Sequence, residues 1–393
     1  MVPSLVSLDA RITMTTPNLP FNRSSLAGRE LEYINLTLEA GQIAGDQLFS
    51  KKCHKLLEDV LGTKRALVTT SCTHALEMTA ILLDIQTGDE VIVPSFTFVS
   101  TANAFVLRGA RPVFCDVRHD TLNLDEAKLE ELISPRTKAI VVVHYAGVSC
   151  AMDEINAIAA RHGIPVVEDN AHGLFGKYKG RWLGTIGALA TQSFHETKNI
   201  TCGEGGALLI NDHRYAERAE IIREKGTNRA NFFRGQVDKY SWVDVGSSYV
   251  MSDVLAAFLY AQLERWEDIQ GKRRLLWNRY HSELSGWAAR NGVTQPTVPS
   301  YCEQAWHMYY LLLPSLQSRQ ALIAHLKAHG VLAVFHYLPL HLSQYASRWG
   351  GKKGQCPVTE DVSDRLLRLS FYNTLTQDDQ SRVINAVQKF SAA

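Results

Sequence analysis

Lys198 and Asp169 carry the chemistry that this sequence most clearly encodes. Lys198 stands in Ser193-Phe194-His195-Glu196-Thr197-Lys198-Asn199, after an apolar run and twenty-nine positions beyond Asp169 in Glu168-Asp169-Asn170-Ala171-His172-Gly173. A lysine amine can hold an aldehyde as a Schiff base, and a carboxylate can keep a pyridine nitrogen protonated so that the ring draws electrons. That pairing describes a site for pyridoxal 5′-phosphate (PLP). Each residue alone has a plainer reading: Asp169 as a turn or helix cap, Lys198 as one solvated lysine among many. Ser193, five positions before Lys198, makes the pair specific, because its hydroxyl can bind the phosphate while the amine reaches the aldehyde. Glu168 is assigned to the fold, since neighbouring strand residues point to opposite faces.

A phosphate also needs backbone donors. Thr69-Thr70-Ser71-Cys72-Thr73-His74-Ala75 supplies a strand end, a small-residue turn and a helix start with free N–H groups. Ser71, Cys72 and Thr73 are therefore cofactor candidates, although Ser71 and Thr73 can equally cap the helix. In Pro94-Ser95-Phe96-Thr97-Phe98-Val99 an aromatic ring can stack on a flat cofactor. Phe96 and Phe98 are two apart and face the same way on an extended segment. Phe98 is taken as the stacking ring and Phe96 as core. Gly203-Glu204-Gly205-Gly206 lets the backbone run close to the site. His172 is a contact candidate because it follows Asp169 by three residues; His195 reads as structural.

These residues need a scaffold that brings them together. Apolar runs at Ala66–Thr69, Val91–Val93, Pro112–Phe114, Ala139–Val143, Pro165–Val167, Ala188–Ala190 and Ala207–Ile210 read as buried strands of a largely parallel sheet. Helical patterns lie between them at Thr73–Leu83, Ser100–Leu107 and Asp153–His162, the last opening on an Asp cap. The alternation is α/β, with ligands at the carboxyl ends of the strands. After Met251-Ser252-Asp253 one long helical stretch is expected to run past Arg273-Arg274. Residues 1–18 read as a loose arm, 19–268 as a large PLP-binding domain, and 269–393 as a small C-terminal α+β domain.

Composition narrows the function. Forty-one basic and forty acidic side chains leave a net charge of +1 in 393 residues, and no basic run suggests nucleic acid or an anionic membrane. The seven cysteines are odd in number and scattered, which argues against a disulfide framework or a zinc knuckle and fits a reducing cytoplasm. No signal peptide, membrane span or metal-ligand set is read.

Together these motifs resemble the DegT/DnrJ/EryC1/StrS family of PLP-dependent sugar aminotransferases from Pro20 onward. Gly226-Thr227-Asn228-Arg229, Phe232 through Tyr240 and Trp242 through Tyr249 look like the branch that makes TDP-4-amino-4,6-dideoxygalactose. That product is a precursor of enterobacterial surface polysaccharide. The resemblance implies PLP-dependent transferase fold type I, aspartate aminotransferase-like, in a cytoplasmic homodimer with shared active sites. In it Lys198 binds the cofactor covalently, Asp169 meets the ring nitrogen, Ser193 with the Cys72 and Thr73 amides holds phosphate, and Phe98 stacks. Two positions depart from the family pattern: His172 replaces a glutamine that contacts the cofactor hydroxyl, and Ser248 replaces an asparagine reaching phosphate from the neighbouring subunit.

The implied reaction has two half-reactions sharing one lysine. An amino group passes from L-glutamate to the cofactor, releasing 2-oxoglutarate, and then to C4 of TDP-4-keto-6-deoxy-D-glucose. Arg229, Lys239 and Tyr240 are expected at the nucleotide, since a diphosphate calls for cations and a pyrimidine for an aromatic face; a solvated loop is the other reading. His336-Tyr337-Leu338-Pro339-Leu340-His341 resembles the family's substrate-facing strand end, making Tyr337 and His341 substrate candidates with packing as the alternative. The alternatives are an aminotransferase on another keto nucleotide-sugar, a PLP-dependent sugar dehydratase of the same family, or a non-catalytic PLP-binding regulator. The dehydratases carry histidine at the Schiff-base position, and regulators append a further domain.

Overall fold

The computed structural model describes residues 19–391, so the arm expected over residues 1–18 lies outside the described residues. Every apolar run anticipated above becomes a strand. The first five are Arg65–Thr69 (β1), Glu90–Pro94 (β2), Arg111–Cys115 (β3), Thr137–Val143 (β4) and Val166–Asp169 (β5). Lys177–Tyr178 (β6) and Arg181–Trp182 (β7) form a short hairpin, and Leu189–Ser193 (β8) and Gly206–Ile210 (β9) return to the main sheet. Its order is β1-β9-β8-β5-β4-β2-β3. Only β9 opposes its neighbours, so the carboxyl ends of six strands and the amino end of β9 share one edge.

Both faces of the sheet are covered, which is why its strands are continuously apolar. Leu67, Val91 and Val141 face the helices Cys72–Leu82 and Ser100–Val106, while Ala66, Val68 and Leu209 face Leu48–Leu61 and Asp253–Leu263. Pairing aligns Thr69 and Ser193 with Gly206, and Val143 with Asp169. The backbone thus carries the candidate residues to one edge before any side chain is considered.

Cys302–Glu303 (β10) joins β6. Tyr310–Leu312 (β11) and Leu366–Arg368 (β12) pair in a second small sheet, packed with the helices Leu316–Ala328 and Gln377–Gln388. Leu19 belongs to this second core and bridges to Val331.

Two expectations need correction. The long helix after Asp253 is two helices, Asp253–Leu263 and Trp266–Arg290, broken where Arg265 leaves helical torsions (φ −111°, ψ 19°). The break serves two cores: Ile269 still packs under the main sheet, whereas Leu276, Trp277 and Tyr280 pack in the small unit. Asp153 does not cap its helix. Its carboxylate is taken by Lys179 at 2.8 Å and Arg181 at 2.5 Å, and the residue at the cap position is Ala151.

Candidate active site

The strand edge opens onto a cavity of about 770 Å³. Ser71, Cys72 and Thr73 enter it after β1, Thr97 and Phe98 after β2, Asp169 and His172 from the end of β5, Ser193 from β8, and Lys198 from the following turn. His307, His336, Tyr337, Arg368 and Phe371 close it from the small unit. The phosphate, ring-nitrogen and amine candidates therefore meet in one place.

Asp169 is buried and its carboxyl accepts from two donors, Thr101 Oγ1 to Oδ2 at 2.7 Å and the Ala171 N–H to Oδ1 at 3.2 Å. Burial pushes its pKa up, and those hydrogen bonds pull the other way. Burial lowers Lys198 to about 8, although Cys72 and Asp169 favour its charged form. An amine so placed titrates near neutral pH, where it can both react and move protons. Glu168 points away from the cavity, where His144 and the N–H groups of Gly184, Ile186 and Gly187 bind it.

At the phosphate end, Ser71 caps its helix by accepting the His74 N–H at 3.1 Å. Ala75 donates to Ser71 O. The N–H groups of Cys72 and Thr73 lie in the first turn, where a helix has no acceptor of its own to offer. A Cβ on Gly206 would collide with the Ser71–Cys72 backbone, so glycine alone allows this close approach. Ser193 Oγ stays uncommitted apart from a long 3.5 Å contact with the His195 N–H.

Phe98 lines the cavity with 57% of its surface exposed, whereas Phe96 is buried against Tyr145. The two rings part because the chain bends after Pro94 and does not continue extended. His172 stacks on His307, with centroids 4.2 Å apart and planes 16° apart, and its Nδ1 has no hydrogen-bond partner. Burial drives His172, His307 and His336 well below the usual histidine range, so all three are neutral at pH 7. Tyr337 brings its hydroxyl 3.5 Å from His172 Nε2 on a left-handed backbone of φ 37°.

Five candidates lie elsewhere. His341 is fully buried, with Nδ1 2.6 Å from Ser95 Oγ and Nε2 3.0 Å from Glu360. It ties the end of β2 to the small unit and does not reach the cavity, so the substrate role expected of it is withdrawn. Arg229, Lys239, Tyr240 and Ser248 sit on an outer segment that does not line this chain's cavity. There Arg229 lies over Phe233 at 5.2 Å and near Glu224 at 3.5 Å, and Ser248 bridges to Glu224.

The donor set fits PLP. Free helix amides suit a phosphate, the Asp169 carboxylate suits a protonated ring nitrogen, and the Lys198 amine suits an aldehyde. Residues 25–388 match the model of the DegT/DnrJ/EryC1/StrS aminotransferase family. This chain belongs to that family. SpsC, a spore coat polysaccharide biosynthesis protein of Bacillus subtilis, is 34% identical over 379 residues, spanning 94% of this chain and 96% of SpsC. The aminotransferase TlmJ from Streptoalloteichus hindustanus superposes with a TM-score of 0.85 at 30% identity, covering 95% of this chain and 98% of TlmJ. Spr1654 from Streptococcus pneumoniae, in its PLP form, gives a TM-score of 0.87 at 26% identity over 94% of this chain and 98% of Spr1654. The chain is thus a PLP-dependent aminotransferase of fold type I.

Several residues that line or support this aminotransferase's cavity escaped the sequence reading. Thr101 grips Asp169 from a helix 68 positions earlier in the chain. Asn199 accepts at Oδ1 from His307 Nδ1, 2.9 Å away, and donates to Ala305 O at 2.6 Å, fixing the lysine turn to the small unit. Arg368 and Phe21 carried no motif. Only Asn199, adjacent to Lys198, offered a sequence signal.

Proposed function

We propose that this aminotransferase moves the amino group of L-glutamate to C4 of TDP-4-keto-6-deoxy-D-glucose. The products are TDP-4-amino-4,6-dideoxy-D-galactose and 2-oxoglutarate, the amino sugar serving surface polysaccharide synthesis. The observation that carries the reading is Lys198: a half-buried amine lowered to about 8, in one cavity with Asp169 and the free amides of Cys72 and Thr73. A sugar substrate is supported by the likeness to a polysaccharide biosynthesis protein and by a cavity of about 770 Å³, within the range that holds drug-sized ligands.

When bound, PLP supplies a carbonyl that accepts amines and a ring that withdraws electrons from the neighbouring bonds. The protein's part is positional and protonic. Asp169, held by Thr101, would face the ring nitrogen and, as the carboxylate, keep its proton in place. Lys198 Nζ takes the proton from the donor's α-carbon and, on the return, delivers one to C4 of the sugar. The Cys72 and Thr73 amides and Ser193 Oγ would hold the phosphate, Phe98 would cover one ring face, and neutral His172 would offer its free Nδ1 to the ring hydroxyl.

The same proposal includes a homodimer. The segment carrying Arg229, Lys239, Tyr240 and Ser248 does not line its own cavity and bears exposed Phe233 and Trp242, which suits a partner surface. Seven unpaired cysteines suit a reducing cytoplasm, and among the described residues no helix is long and apolar enough to cross a membrane.

The test is absorbance of the PLP-loaded protein, first with L-glutamate and then with TDP-4-keto-6-deoxy-D-glucose, beside Lys198→Ala. The visible band is expected to bleach with glutamate and return with the sugar, and the variant to do neither. Bleaching without recovery on this sugar, but with recovery on another keto nucleotide-sugar, would reassign the acceptor.

A further inference from the structure

Lys198 sits on a turn outside any strand or helix, so no sheet or helix ladder fixes where its amine lies. The next residue, Asn199, is buried, does not line the cavity, and spends every polar group of its side chain. Its Nδ2 donates to Ala305 O at 2.6 Å and to Gln270 Oε1 at 3.0 Å, and its Oδ1 accepts from His307 Nδ1 at 2.9 Å. Its backbone carbonyl accepts from Asn373 Nδ2 at 3.2 Å. Ala305 and His307 lie just before β11, Asn373 lies after β12, and Gln270 is on the helix Trp266–Arg290. Arg273 of that helix fastens the two loops together. It donates to Trp306 O, His307 O and Asn373 Oδ1, and its guanidinium lies over the Phe371 ring at 4.6 Å. By contrast, the ties from Asn22 and Ser24 to Glu196 O, earlier in the same turn, are exposed.

We propose that Asn199 is a positioning residue through which the small unit sets Lys198 against the aldehyde of the cofactor. The inference rests on the role given to Lys198 in the reading above and adds what aims it. The candidate phosphate donors belong to the Cys72–Leu82 helix of the large unit, so that unit sets the place of the cofactor. The turn that carries the amine is gripped from the small unit instead. Register between aldehyde and amine therefore passes through Asn199, whose amide, with both ends bonded, has one orientation open to it. A displacement of about 1 Å between reacting groups costs on the order of 100-fold. The plainer role for such a buried asparagine is to fasten the two units. That role predicts a loss of stability and an equal loss for every ligand, and it separates from the positioning role by experiment.

The experiment compares two ligands by fluorescence titration of the full chain freed of cofactor. PLP bonds to a lysine with loss of water. Pyridoxamine 5′-phosphate keeps the same phosphate and ring, carries an amine in place of the aldehyde, and forms no such bond. Asn199→Ala is expected to bind PLP on the order of 100-fold more weakly and pyridoxamine 5′-phosphate almost as wild type does. Asn373→Asp removes the donor to Asn199 O but gives the buried Arg273 an anion, so it should melt at or above the wild-type temperature. It should still lose about tenfold on PLP alone. If Asn199→Ala does not fold, Asn373→Asp decides. The proposal is overturned if Asn373→Asp binds PLP like wild type, or if a folded variant loses both ligands in the same proportion. Lys198→Ala is the control. If it keeps the wild-type ratio of the two affinities, the role of Lys198 falls and this inference with it; if it alone changes that ratio, only the inference about Asn199 falls.

Discussion

Thr101 donates its hydroxyl to Asp169 at 2.7 Å, and Thr97 lies 2.8 Å behind Thr101, so a hydroxyl positioned from its own helix opposes the upward pull that burial exerts on the Asp169 pKa. Thr101→Val keeps the shape and removes one donor to a charged acceptor, a loss of about 1.5–3 kcal/mol. Asp169's pKa then rises further. Because the ionised form is the working one, the acid limb of activity should move to higher pH. PLP affinity should drop by about tenfold in a fluorescence titration. Unchanged affinity and an unchanged pH profile would show that the hydrogen bond is idle.

Lys198 gives the apoenzyme a pH signature. Its folded pKa of about 8 lies below the ordinary 10.5. Below pH 8 the amine is charged in both folded and unfolded chains, and the folded state bears the full cost of burying that charge. Between about 8 and 10.5 the unfolded chain binds more protons, so stability rises with pH, and above 10.5 the cost is gone. Lys198→Met apoenzyme should therefore be more stable than wild type by about 2–3 kcal/mol at pH 7, with the gap closing above pH 10. Denaturant melts across that range measure it. PLP capture by wild-type apoenzyme, followed by absorbance, should accelerate with pH around a midpoint near 8.

What was legible in the sequence was local. The strands were readable because both faces of the sheet are covered, leaving runs such as Ala139–Val143 with no polar residue. Asp169 and Lys198 were readable because each ends or follows such a run within a few positions. Thr101 and His307 were not, since their roles arise from packing across 68 and 108 residues of chain. His341 was misassigned for the same reason: its neighbours in sequence suggested a site, while its hydrogen bonds go to Ser95 and Glu360. The split after Leu263 was equally hidden, because the segment keeps helical composition while its apolar face changes core.

Gly206 separates cofactor binding from lysine chemistry. Any side chain there meets the Ser71–Cys72 backbone, which cannot swing aside without moving the helix start. Gly206→Ala is expected to weaken PLP binding by about tenfold or more by displacing the free amides. Free inorganic phosphate should lose affinity in the same proportion, whereas the midpoint near 8 for Lys198 should hold. A normal phosphate affinity in this variant would show that the Cys72 and Thr73 amides are not the phosphate site.

Trp242 and Arg229 test whether two chains share each active site. Trp242 is 81% exposed and Phe233 69%, on the segment that carries Arg229 and does not line its own cavity, a placement that favours burial against a second copy. Trp242→Asp should shift sedimentation from dimer toward monomer, raising the dissociation constant on the order of 100-fold. If Arg229 serves the neighbouring cavity, Lys198→Ala and Arg229→Ala chains, each crippled alone, rebuild one intact site in every mixed dimer. Co-refolded in equal amounts they should recover about a quarter of wild-type turnover, since half of the dimers are mixed and each has one good site of two. No recovery from a mixture that demonstrably forms mixed dimers would place Arg229 in the service of its own chain, or of none.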